Sequence, residues 1–186
     1  MKGLIYSTQG AMFGAKEIIG FGNDFFCIKE IDRNKANDII VKNHYSKKYF
    51  NNSYIHLGVF LNDNILGVLQ FGHLLNNLSV SKIVSNTNAG DAVELNRMWL
   101  DDDLGKNSES MAISYCIKYI RSKFKNIKWI QSFADERCNF FGIVYQASNF
   151  KYYGEHISTF LELDGVFYHN INATAKRERR VKMLIL

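Results

Sequence analysis

The chain has 186 residues and no proline, where average usage of about 5% would supply roughly nine. That excludes proline-rich linkers, PxxP ligands, collagen-like repeats and extended stalks, while 47% hydrophobic and 14% aromatic residues exclude intrinsic disorder. Lysine and arginine outnumber aspartate and glutamate by 23 to 18, a net charge of +5 that is compatible with a polyanionic partner, and no run approaches the roughly 20 apolar residues of a membrane span.

Asp32 is placed to cap a helix whose apolar stripe is Ala36, Ile39 and Ile40 and which runs to Lys42 or Asn43. A loop from Asn43 to Ser53 follows, dense in side chains that donate, accept, titrate or stack. Two strand-like runs, Ile55–Leu61 and Ile65–Phe71, flank Asn62-Asp63-Asn64 and predict a tight antiparallel hairpin. An asparagine-rich loop from Asn76 to Asp91 then leads into a third strand, Val93–Leu100.

Next, Asp101 to Ser110 forms a turn-rich loop that opens onto a helix with Ile113, Ile117, Ile120 and Phe124 at helical spacing. A strand, a small-residue loop and a helix N-terminus in succession leave amides pointing outward at the positive end of a helix dipole, which suits a phosphate. The candidate residues are Leu104, Gly105, Lys106, Asn107, Ser108, Glu109 and Ser110, and with no proline among them every one keeps its N–H. A strand at Lys128–Phe133, a loop with Asp135, Glu136 and Arg137, a short helix at Phe141–Ser148 and a hairpin about Leu163-Asp164-Gly165-Val166 complete the chain. Without repeats or a linker, this order predicts one mixed α/β domain over residues 1–186, with a core from about 24 to 172 and a basic C-terminal segment, 173–186.

Cys27, Cys116 and Cys138 are odd in number and far apart, so they make neither a disulfide framework nor a cysteine zinc site. Residues Met1 to Ser7 do not read as a signal peptide, which predicts a cytoplasmic protein.

The order and several segments together resemble a known family. Asn43-His44-Tyr45-Ser46, Tyr54–Phe60, Gly67–Gly72, Glu94–Trp99, Asn107–Ser110, Phe133-Ala134-Asp135 and Ile143–Ala147 resemble, in sequence order, the Mom family of phage DNA-modification proteins. The layout is similar to the GNAT acyltransferase fold, in which coenzyme A pyrophosphate rests on the loop between that fold's fourth strand and third helix. The resemblance covers roughly residues 39 to 170. It implies a single GNAT-like α/β domain with a mixed, mostly antiparallel twisted sheet flanked by helices. It also implies conversion of adenine in DNA, at N6, to N6-carbamoylmethyladenine, a modification that shields phage DNA from host restriction. At the matching positions it implies His44, Tyr45, Arg97, Asp135 and Tyr145 as catalytic residues, and iron held by His44, Asp135 and Tyr145. Where many acetyltransferases carry Arg/Gln-x-x-Gly-x-Gly/Ala, this chain has Leu104-Gly105-Lys106-Asn107-Ser108-Glu109-Ser110. The group donor is therefore acetyl-CoA or another acyl or glycine-derived donor.

Chemistry supports these residue types. Adenine N6 is a poor nucleophile because its lone pair is delocalised into the ring, so bond formation there needs a base, an activated donor, or both. Imidazole, carboxylate and phenolate make a mixed N/O set suited to iron. Each residue also has a plainer role open to it. His44 could be a hydrogen-bonded structural residue, Asp135 the cap of the following helix, Tyr145 a packing residue with its hydroxyl bonded, and Arg97 the partner of Glu94 or of an acidic ligand. Double-stranded DNA, the expected partner, must yield a flipped adenine, stacked on Tyr45, Tyr49 or Phe50, while Lys42, Lys47 and Lys48 meet phosphates. The run Lys176-Arg177-Glu178-Arg179-Arg180 adds to that surface or is a solvated tail. Competing functions are a conventional GNAT N-acyltransferase acting on a protein or small-molecule amine, and a catalytically inactive DNA-binding protein; a homodimer is left open.

Overall fold

A computed structural model describes residues 1–8, 14–135, 141–163, 166–169 and 177–185. It divides into two compact units, Met1–Ile130 and Gln131–Leu186, and the division falls inside a strand rather than in a linker.

In the first unit, β1 (Gly3–Ser7), β2 (Glu17–Gly22), β3 (Phe26–Glu30), β4 (Ser53–Leu61), β5 (Asn64–Gly72) and β6 (Ala92–Leu100) lie side by side in sequence order, each antiparallel to the next. Helix α1 (Arg33–Asn43) covers β4, β5 and β6, where Ala36 and Ile40 pack on Val68 with Trp99 beside them. Asp32 caps it as expected, its carboxylate accepting the amides of Asn34 at 2.7 Å and Lys35 at 3.3 Å. A four-residue helix, α2 (Val80–Ile83), lies between β5 and β6, and α3 (Ser108–Lys123) follows β6 and packs on β2 and β3.

Strand alternation explains why the two long helices take opposite faces. Val68 pairs with Gly58, so its side chain shares a face with position 58, whereas Ile28 pairs with Val59 and points the other way. Phe26, on that second face, meets the Tyr115 ring of α3 edge-on at 5.7 Å. The Tyr119 hydroxyl and Lys123 of α3 both reach the Glu30 carboxylate at the end of β3.

The hairpin between β4 and β5 turns through Asn62 and Asp63, both left-handed at φ 48° and 65°, the type I′ geometry that matches strand twist. The three N-terminal strands were not foreseen. They are only five or six residues long, and β1 and β2 are broken by glycines that hide the period-two pattern.

In the second unit, β7 (Trp129–Asp135), β8 (Lys151–Leu163), β9 (Val166–His169) and β10 (Arg177–Ile185) form antiparallel pairs in the order β7-β10-β8-β9. The expected C-terminal tail is corrected here. Arg177–Ile185 is a strand bonded on both sides, because its Val181-Lys182-Met183-Leu184-Ile185 end provides the β-forming residues. Lys176 and the turn residues Asp164 and Gly165 lie outside the described residues, as do Glu136, Arg137 and Cys138. The predicted helix at Phe141–Ser148 is shorter, α4 (Ile143–Ala147), starting after Gly142 at φ 75°.

The end of the sheet at Ser53, Gly72 and Ala92 carries both polar loops, and its register depends on one close approach. A Cβ at Gly72 would stand 2.1 Å from the Asn52 carbonyl oxygen and 2.6 Å from Ser53 Cα, both backbone atoms. Gly72→Ala is expected to cost about 2–3 kcal/mol in urea-unfolding experiments. Gly105→Ala, where a Cβ meets nothing within 4 Å, should leave the midpoint unchanged.

Candidate functional site

Helix α1 ends at His44, whose extended backbone (φ −68°, ψ 142°) stops the helix while its N–H still reaches the Ile40 carbonyl at 2.9 Å. The chain turns back at once through left-handed Lys47, whose N–H donates to the His44 carbonyl. This tight turn puts Ser46 against the imidazole. The Ser46 amide donates to His44 Nδ1 at 3.1 Å, and its hydroxyl lies 2.8 Å from the same nitrogen. With Nδ1 accepting an N–H, the neutral ring carries its own proton on Nε2.

His44 is buried, and burial, with Arg97 and then Lys47 adding to it, pushes its pKa down to about 4. Near neutral pH it is therefore an uncharged imidazole presenting an Nε2–H. Tyr45 is 55% exposed and its ring lies over the His44 ring at 4.2 Å, tilted 33°.

Arg97 reaches this loop from β6. Its Nε donates to the Lys48 carbonyl at 3.0 Å, its Nη1 to the Asn96 carbonyl at 2.7 Å, and its guanidinium lies 5.5 Å from the Phe50 ring centre. Burial lowers the Arg97 pKa, while Tyr45 and then Glu94 act to raise it. The expected Arg97–Glu94 pairing is corrected in detail. The Glu94 carboxylate accepts the Leu75 amide at 3.3 Å and the Asn96 side-chain amide at 3.1 Å, and the hydrogen bonds of Arg97 go to carbonyls.

Lys42, Lys47, Lys48 and Tyr49 are exposed around this cluster, with the Lys47 ammonium donating to the Lys42 carbonyl at 2.6 Å. The first unit thus brings His44, Tyr45, Arg97 and the basic residues together.

Beneath α1, His56, Gln70 and Arg97 form a polar row whose alignment sequence reasoning passed over. Gln70 pairs in register with His56 on one side and Arg97 on the other, so all three share a face. Its side-chain nitrogen donates to Asn37 of α1 at 2.9 Å and lies 3.1 Å from His56 Nδ1. Isolated polar residues inside strands carry no motif; only the register reveals them. Ser46 was missed as the residue orienting His44 for a similar reason, since its role comes from a turn and not from a spacing rule.

The loop between β6 and α3 is a partial anion cradle. Asn107 enters the helix at φ 68° without capping it by its side chain. Two of the seven amides are spent internally, Leu104 on the Asp101 carbonyl and Ser108 on the Gly105 carbonyl, which corrects the expectation that the whole loop is available. Gly105, Lys106, Asn107 and Glu109 keep amides with no acceptor among the described residues.

In the second unit, Asp135 ends β7, its backbone opposite Val181. It does not cap α4, whose N-cap is Gly142. The Tyr145 ring packs on Phe150 at 5.6 Å. Burial pushes its phenol above the ordinary range, with the Ser132 hydroxyl acting in the other direction. Both observations match the packing alternative.

The three side chains assigned to iron are split between the two units, His44 in the first and Asp135 and Tyr145 in the second. His44 Nδ1 accepts the Ser46 amide, so in this tautomer its lone pair is engaged there and Nε2 carries the proton. Among the described residues, no group of three or more His, Cys, Asp or Glu is placed to hold a metal. Nor is any helix there long and apolar enough to cross a membrane.

The depressed His44 pKa has a stability consequence with a definite sign. Because the folded state resists protonating His44, the stability it contributes is complete above the unfolded value near 6.5 and declines as pH falls toward 4. Imidazole NMR titration is expected to show one histidine with a midpoint near 4, moving upward in Arg97→Gln.

Known proteins place the chain. A family model described as the Mom protein family matches residues 25–186. The methylcarbamoylase Mom of Escherichia phage Mu is 50% identical over 159 residues, which are 86% of this chain and 66% of that protein, so the chain spans just under two thirds of its relative's length. Solved structures match at low identity: a GNAT-family acetyltransferase from Streptococcus pneumoniae (12% identity, TM-score 0.53, 87% of this chain and 98% of the other) and a probable GNAT acetyltransferase from Chromobacterium violaceum (10%, 0.58, 90% and 85%). Spermidine N-acetyltransferase from Vibrio cholerae matches at 13% and 0.55, over 88% and 96%. The fold is therefore that of the GNAT acetyltransferases, and the chain, matched from the start of its third strand to its last residue, belongs to the Mom protein family.

Proposed function

We propose that this protein is an enzyme that modifies adenine in double-stranded DNA at N6, attaching a carbamoylmethyl group. The observation that carries this reading is the 50% identity to the phage Mu methylcarbamoylase over 159 residues. The whole chain then acts as one catalytic domain in the host cytoplasm, and the product protects phage DNA from restriction.

In this reading the target adenine leaves the duplex and stacks on the exposed Tyr45 ring, with Tyr49 and Phe50 nearby, while Lys42, Lys47 and Lys48 neutralise flanking phosphates. The uncharged His44 serves as a hydrogen-bond donor through Nε2–H, aimed at an acceptor on the base or at the carbonyl of the incoming group. A neutral imidazole with a strongly lowered pKa suits that task better than the task of a base. Base duty toward the N6 proton is assigned to Asp135, whose carboxylate accepts that proton and becomes a neutral acid as N6 forms its new bond. Arg97 keeps the His44 loop in place through the Lys48 carbonyl and adds positive potential for a developing negative charge. Tyr145 supports the site through packing.

The donor is acetyl-CoA or another acyl or glycine-derived carrier, its phosphates meeting the amides of Gly105, Lys106, Asn107 and Glu109. A carbamoylmethyl group is joined to N6 through carbon, so acyl transfer alone does not make the product: a glycine-derived donor would have to lose a leaving group from its methylene, and acetyl-CoA would need further chemistry at its methyl carbon and a source of the amide nitrogen. No metal step is assigned.

Expression in a bacterium followed by mass spectrometry of nucleosides from its digested DNA tests this. A heavier deoxyadenosine is expected with the wild type and absent with His44→Ala and Asp135→Asn. Unmodified DNA despite soluble, folded protein would defeat the reading and favour a conventional acyltransferase or a binding protein. Binding should also weaken steeply with salt, and Lys42→Ala and Lys48→Ala should each reduce the log–log salt slope by about 1.

A further inference from the structure

Two leucines stand outward beside the basic loop. After β5 the chain runs through His73 and Leu74 into a short turn, where Leu75 is 71% and Leu78 is 89% exposed. A leucine so exposed on a mobile loop would mean little, but this turn is built rigidly. Leu74 and Val80 anchor it in the core on either side, the Asn76 side chain accepts the Leu78 amide at 3.1 Å, and the Ser79 hydroxyl donates to the Asn76 carbonyl at 2.9 Å. The Leu75 amide is tied to Glu94 of β6.

That turn is continuous with the site already described. Glu94 accepts from Asn96, Asn96 accepts from Ser53 at 2.9 Å, and the Asn96 carbonyl holds Arg97. The His73 amide donates to the Asn52 carbonyl, and the His73 ring packs on Tyr54 at 4.8 Å. Both loops leave the same end of β4, β5 and β6.

Charge selects the occupant. From Lys42 to Tyr54 and from His73 to Gly90 there is no aspartate or glutamate, against four lysines, Lys42, Lys47, Lys48 and Lys82. An apolar tip between loops that carry lysines and no carboxylate, with Glu94 of β6 buried, fits nucleic acid, where phosphates flank a stack of apolar base faces; two copies of such a surface would repel each other. Extraction of a base also leaves a gap that an apolar side chain can fill, offsetting the cost of unstacking.

We propose that Leu78, supported by Leu75, is a wedge that enters the duplex and fills the gap left by the withdrawn base. This rests on the reading that the protein acts on double-stranded DNA. It assigns the second loop a mechanical task that the chemical residues of the first do not perform.

The test compares the full chain with Leu78→Ser and Leu78→Phe for binding to a fluorescent duplex and to one of its separated strands at fixed salt, with thermal melting as the check on folding. Leu78→Ser is expected to bind the duplex about tenfold more weakly, the loss of a stacking contact, and to bind the single strand like the wild type, while Leu78→Phe retains duplex affinity. Undiminished duplex binding by Leu78→Ser overturns the proposal. So does an equal loss on both strand forms, which marks a general contact, or a wild-type dimer that Leu78→Ser dissolves in sedimentation, which marks a subunit interface. Absence of modified adenine alongside a duplex-specific Leu78 effect would reject the chemistry proposed above and leave the wedge standing. Absence of any DNA binding by the wild type would reject both.

Discussion

One guanidinium holds the candidate site together. Arg97 is half-buried on β6, and burying a cation without acceptors costs several kcal/mol, so its hydrogen bonds must be met by whatever lies within reach. It takes the Lys48 and Asn96 carbonyls and lies near the face of Phe50. The loop that carries His44 and Tyr45 is thereby pinned to the sheet, at the point where α1 has ended and no regular hydrogen bonding remains to fix the chain. The same charge, placed close to His44, adds to burial in keeping that imidazole neutral. Structural anchorage and electrostatic tuning come from a single side chain.

That anchorage works only because the sheet presents its polar residues in the correct row. The pairings His56↔Gln70 and Gln70↔Arg97 put three long polar side chains on the face covered by α1, and Gln70 bridges them to the helix through Asn37. A slip of one residue in β5 would send Gln70 to the opposite face, among the apolar side chains that α3 covers. Gly72 opposes such slips by allowing the backbones of residues 52, 53 and 72 to meet more closely than any side chain permits. The two loops that emerge there inherit that register, which is why a change in packing at one glycine reaches the chemistry of the other end of α1.

Local chemistry made much of this legible in the sequence. Asp32 reads as a cap, Asn62-Asp63 as a primed turn, and the α3 stripe as a helix because each signal is contained within a few residues. The resemblance carried by short ordered segments identified the fold and the family before any coordinates. What stayed hidden depends on long-range pairing. The N-terminal strands are short and glycine-broken, and β10 was masked by its arginines, since a charged run resembles a tail until a partner strand exists on both sides. At the site, residue types were foreseeable and their protonation was not. Nothing in Asn43-His44-Tyr45-Ser46 announces that the Ser46 amide will turn back onto Nδ1 and so fix which nitrogen keeps the proton.

The neutrality of His44 survives the arrival of a polyanion. Phosphates near Lys42, Lys47 and Lys48 would favour the charged imidazolium, so DNA bound as proposed would move the His44 pKa upward from about 4. To reach 7 the protonated form must gain about 4 kcal/mol, at about 1.4 kcal/mol per unit, whereas a solvent-exposed charge contact supplies about 1 kcal/mol or less. The lysines consume part of that potential before it reaches the buried ring, and the Ser46 amide, still directed at Nδ1, disfavours a second proton there. A histidine in this setting remains a donor through one nitrogen, and under the proposed reaction the adenine N6 proton would leave through another group.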